Sequence, residues 1–93
     1  MADWKDYDPT WLVDLAREQC PDDPALADAL AACTRGREES RAYVQFVDAS
    51  RPNEIGATWQ FERNVRLTGP DGDIVLDVLA GGAVGGAEFI WLV

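Results

Sequence analysis

Trp11, Leu12 and Leu15 recur at helical spacing with Asp14, Arg17 and Glu18 between and after them. An apolar stripe with charges outside it predicts an amphipathic helix. Asp8-Pro9 opens that helix. Asp8 can accept from its first free amides, and Pro9 suits the first helical position, where no N–H is needed. Tyr7 is placed to staple onto Leu12, and Pro21 closes the helix. The pattern then repeats. Asp23-Pro24 opens a second helix running to about Thr34, with Leu26, Leu30 and Cys33 as its stripe and Gly36 as its stop.

Beyond Gly36 the period changes from helical to two. Ala42, Val44 and Phe46 alternate with Tyr43 and Gln45, which predicts a strand over 41–49. In TWQFERNVRL, from Thr58 to Leu67, Trp59, Phe61, Val65 and Leu67 fall on one face, interrupted by Arg63. Ile74 to Leu79 reads as a third strand after the Gly-Pro-Asp-Gly turn, and a fourth runs to Val93. Gly81-Gly82 suit the positive φ angles of a tight hairpin. Gly85-Gly86 sit inside the returning strand, where glycine marks a bulge or a close neighbour. A phosphate-binding loop would need a helix after the glycines, and the strand-like EFIWLV follows instead. The expected fold is therefore α+β in the order ααββββ. An N-terminal helical hairpin packs on a four-stranded antiparallel meander. The chain reads as one domain over 1–93, with an acidic hairpin at 1–36 and the sheet at 41–93. Strands three and four look apolar on both faces. Either a partner or a second copy covers the far face, or the helices and N-terminal segment wrap round it.

Charge adds what the pattern does not show. Seventeen acids face eight bases, for a net charge of −9. Residues 1–28 hold eight of the acids, from Asp3 to Asp28, against Lys5 and Arg17, which places −6 of the −9 there. Such a field repels nucleic acid and anionic membranes. It steers basic partners inward, although acidity also serves solubility alone. The start MADWKDYD is neither basic nor apolar, so no signal peptide is expected. The C-terminal apolar run is shorter than a membrane-spanning helix requires. A cytoplasmic protein is the expectation. Cys20 and Cys33, each at the end of a helix, would sit roughly 15 Å apart in an antiparallel pair, beyond bridging distance, so reduced cysteines are expected.

The available chemistry is narrow. The chain has no histidine, one lysine and two serines, which excludes the common nucleophile–base systems and imidazole metal sites. Asp3, Asp6 and Asp8, or Asp71 and Asp73, do not match the spacing of a calcium loop. A carboxylate pair needs a cleft that 93 residues scarcely provide. No enzyme activity, cofactor or metal is expected. What remains is binding. Trp4 and Tyr7 stand among acids in WKDYDPTW and suit a partner's interface, whereas Trp11 is expected to point into the core. The expected contact residues are Asp3, Trp4, Asp6, Tyr7, Asp14, Glu18, Asp22 and Asp23.

The stretches PNEIGATWQFERNVRL and GDIVLDVLAGGAVGGAEF, covering about residues 52–90, resemble small bacterial proteins with a G-x-V-x-G-x-E-F hairpin. Some of these are immunity proteins and others are families of unknown function. That resemblance implies a chain that binds and blocks a cognate toxin, often a basic nuclease, and it assigns no catalytic residue. The leading expectation is thus a non-enzymatic inhibitor docking an acidic surface on a basic protein. Two alternatives stay open. One is a structural domain that forms a homodimer through the C-terminal strands. The other is a phage-type mimic of nucleic acid, which would want carboxylates along an extended face rather than clustered in the first 28 residues.

Overall fold

A computed structural model describes residues 3–93. The first two residues of the predicted acidic segment lie outside the described part. Among the described residues the elements are β1 (Lys5–Asp6), α1 (Thr10–Gln19), α2 (Pro24–Ala31), β2 (Arg35–Ser40), β3 (Tyr43–Gln45), β4 (Phe61–Thr68), β5 (Asp73–Leu79), β6 (Val84–Phe89) and a 3-10 turn (Ile90–Leu92). The fold is α+β, as the pattern predicts, but the sheet has six antiparallel strands in the order β1-β2-β3-β6-β5-β4. The predicted four-stranded meander is corrected on both points.

Each difference has a local cause. β2 is RGREES, with only Gly36 buried, so its sequence carries no apolar alternation. Its place comes from pairing with β1 and β3. β1 has two residues, too few for any period, and it puts a strand before the helices. The expected 41–49 strand contracts to Tyr43–Gln45 because Phe46 and Val47 bend away, both amides donating to Gly85 O at 2.7 and 3.2 Å. The chain then crosses from β3, beside β6, to β4 at the far edge. The last strand stops at Phe89, and Ile90–Leu92 turn out of the sheet. The second helix ends at Ala31 rather than near Thr34.

The helix starts follow the Asp-Pro logic with one offset. Asp23 caps α2, its Oδ1 accepting from Leu26 N–H at 3.3 Å with Pro24 next. In α1 Pro9 takes the cap position, and its carbonyl accepts from the amides of Leu12 and Val13. Asp8 Oδ1 instead holds Thr10, accepting from its N–H at 3.0 Å and its hydroxyl at 2.6 Å. Those bonds hold the Asp8 carboxyl below the usual carboxylate range.

The core lies between the helices and one face of the sheet. Leu12, Val13, Ala16, Leu26, Ala27 and Leu30 meet Leu67, Ile74, Leu76, Val78, Val84, Ala87 and Phe89. Burying a leucine or isoleucine of this kind stabilises by about 1.5–3 kcal/mol. β5 alternates strictly: Ile74, Leu76 and Val78 face the helices, while Asp73, Val75 and Asp77 face away. On β5 the far face is therefore mostly polar, with Val75 half-buried between Asp73 and Asp77. Gly81 and Gly82 turn the β5–β6 hairpin at φ 93° and 97°. Gly85 is the extra residue of a bulge, since Asp77 pairs with Gly86 and Val78 with Val84. A methyl at Gly85 would stand 2.5 Å from the Trp59 ring, so the indole lies directly on the bulge. Gly86 supports Tyr43 in the same way.

Candidate functional site

The eight residues expected at an interface separate into three groups. Asp3 is exposed and Trp4 half-buried beside β1. The Trp4 carbonyl accepts from Arg35 Nη2 at 3.2 Å, and Asp6 lies 3.7 Å from Arg35 Nη1. Tyr7 belongs to the packing. Its ring meets Phe46 edge-on at 5.1 Å, and its hydroxyl accepts from Trp11 Nε1 at 3.2 Å. Burial raises its phenol pKa, with the Trp11 bond working the other way. The third group is the helical layer. Asp14 and Glu18 stand one turn apart on the exposed side of α1, and Asp22 follows in the turn to α2. Asp23, also expected there, is occupied as the α2 cap and by Arg63 Nη2 at 3.2 Å.

Two residues of this surface were missed. Asp28 is exposed on α2. Trp11, expected in the core, is 36% exposed, with its ring 5.8 Å from that of Phe89. The signal was present in the spacing: Trp11, Asp14 and Glu18 are i, i+3 and i+7, so the tryptophan borders the acidic side of its own helix. A depression of about 420 Å³ lies between the helices, lined by Pro9, Val13, Asp14, Arg17, Ala31 and Thr34.

The arginines show where charge is compensated. Arg35, Arg37, Arg51, Arg63 and Arg66 each contact a carboxylate, those of Asp6, Glu39, Glu54, Asp23 and Asp73 respectively. Asp14, Glu18, Asp22 and Asp28 have no such contact among the described residues, and Arg17 is the one base in the helices with them. The bases are thus used at the sheet and its loops, and the helices carry uncompensated acid.

A polar cluster occupies the far face. Tyr43 Oη donates to Asp77 Oδ2 at 2.6 Å, and Asn64 Nδ2 donates to Asp77 Oδ1 at 2.7 Å. Burial, then the Asp77 carboxylate, drives the Tyr43 pKa far above its ordinary value. A phenol so held stays protonated and serves as an anchor. Cys33, with its thiol 3.4 Å from Ala29 O, is pushed up to about 12 by burial. Both cysteines are free. Among the described residues no group of three or more His, Cys, Asp or Glu side chains converges. No described helix is long and apolar enough to cross a membrane.

No protein family matches the chain, and neither a curated protein nor a solved structure matches it.

Proposed function

We propose that this chain is a non-enzymatic, cytoplasmic binding protein of the immunity-protein kind. It docks the outer face of α1 and α2 on a basic protein surface, such as that of a toxin. The observation that supports this reading is the segregation of charge. Asp14, Glu18, Asp22 and Asp28 lack counter-ions among the described residues, whereas Arg35, Arg37, Arg51 and Arg66 pair with acids of the sheet and its loops, and Arg63 pairs with the α2 cap Asp23. Uncompensated carboxylates on one layer steer a cationic partner and set its orientation. Trp11 adds a rigid, amphipathic contact beside them, with its indole N–H already bonded to Tyr7. No cofactor enters this scheme.

The test is charge reversal. Asp14→Lys, Glu18→Lys, Asp22→Lys and Asp28→Lys are combined in one variant, and Glu38→Lys with Asp71→Lys in a control. A basic protein captured from lysate by the unmodified chain at low salt should release at high salt. It should also bind the control and be lost by the helical variant. Equal capture by the helical variant would remove α1 and α2 as the interface. Capture of no basic protein at any salt would end the reading.

A further inference from the structure

The sheet has one long open edge. β1, at one end, is two residues long, β5 and β6 have neighbours on both sides, and β4 presents eight residues at the other end. Gly69 N–H donates to Gly72 O at 2.8 Å, which sets the phase of the β4–β5 ladder. The backbone groups of Leu67 and Val65 turn toward β5, and those of Thr68, Arg66 and Asn64 turn outward. Thr68 bears this out. Gln19, the last residue of α1, donates from Nε2 to Thr68 O at 2.7 Å and accepts at Oε1 from Thr68 N–H at 2.8 Å. This two-bond exchange is the one that a residue of a neighbouring strand would make. At the other end Asn53 Oδ1 accepts from Phe61 N–H at 2.9 Å, and a bulge breaks the register between Phe61 and Arg63. Between these stoppers, the outward N–H and C=O groups of Asn64 and Arg66 have no partner among the described residues.

We propose that a second copy of this chain adds at this window, β4 against β4, antiparallel about a two-fold axis at Val65. Asn64 of each copy then faces Arg66 of the other. Each pair exchanges two bonds, and every open group in the window is satisfied. The neighbouring registers fail. One sets Arg66 against Arg66 and brings Asn64 onto Thr68, which Gln19 already fills; like charges directly opposite destabilise. The other sets Arg66 against Glu62, inside the bulge. Charge also favours this strand for self-contact. It holds Glu62 against Arg63 and Arg66 in a chain of net −9, so the strands meet without the acid–acid repulsion that the helices would impose. Phe61, 44% exposed, and half-buried Val65 add apolar area. Four backbone bonds and a narrow apolar strip make a weak, reversible dimer. This contact is independent of the helical docking face.

Two measurements decide it. Sedimentation velocity should show one chain giving way to two as concentration rises from about 10 μM to about 1 mM. Amide exchange of Asn64 and Arg66 should slow over the same range, while that of exposed loop amides stays constant. Arg66→Pro deletes an outward N–H and leaves the bonds to β5 in place. Arg66→Ala keeps the N–H and removes the same side chain. The dimer loses two equivalent bonds in the first variant, so it should weaken about tenfold or more relative to the second. A single-chain mass at every concentration, or exchange at Asn64 and Arg66 that ignores concentration, overturns the proposal. So does equal association of the two variants when both fold. The exchange measurement uses the unmodified chain and decides the matter even if the proline variant does not fold.

Discussion

Tyr43 and Gly86 act as one unit. The phenol crosses the glycine at contact distance, and along that path its hydroxyl reaches Asp77. A methyl group at residue 86 would meet the ring and hydroxyl themselves. Gly86→Ala should therefore destabilise by about 1–3 kcal/mol, the usual range for overpacking. Urea unfolding, with tyrosine absorbance following the hydroxyl, would measure it. A neutral substitution would mean that the ring has another place to lie. The sequence marked Gly85-Gly86 as a bulge or a close neighbour. It did not name Trp59 and Tyr43 as the neighbours, because both arrive from segments 26 or more residues away, on a loop and a strand whose paths sequence periodicity does not encode.

At the scale of elements, the short-range signals held best. Both Asp-Pro pairs stand at helix starts because capping and proline φ are settled within four residues. Asp23 does two things at once, capping α2 and meeting Arg63 of β4. Asp23→Ala should cost about 0.5–2 kcal/mol, nearly all from the cap, since an exposed ion pair contributes little. Asp23→Asn keeps the cap and removes the charge. In thermal melts it should stay close to the unmodified chain, and a loss equal to that of alanine would shift the weight to the ion pair. β2 shows the opposite case. RGREES has almost no intrinsic strand pattern, and it is a strand because β1 and β3 lie on either side.

Across the whole molecule, pH should reveal the buried acids. There is no histidine to titrate near neutrality. Cys33 and Tyr43 both hold their protons more tightly when folded. Their contribution is complete below their unfolded pKa values of 9.0 and 10.0, and for Cys33 it is lost as pH rises toward about 12. Between those limits the unfolded chain binds fewer protons, so stability falls with rising pH. Melting temperature should be level near neutrality and decline above about pH 9, and Cys33→Ala should make the decline shallower. An unchanged slope would assign the alkaline loss to other groups. The acid limb runs the other way. Asp8 is depressed when folded, so its support is lost as pH falls through that lowered value.

By itself the sequence determined the two Asp-Pro helix starts, the cap of the second helix, the β4, β5 and β6 segments, the glycine hairpin and the concentration of acid in the first 28 residues. All of these rest on contacts or composition within a few residues. Only the tertiary structure decided the six-strand order, with β6 interior and β4 at the edge, because strand order depends on where the long 46–60 connection crosses. It alone decided that Tyr7 packs inward against Phe46 while Trp11, beside Phe89, stays partly out. It also decided which carboxylates stay uncompensated: net charge counts acids, but only folding brings Arg63 to Asp23 and leaves Asp14, Glu18, Asp22 and Asp28 without a partner among the described residues.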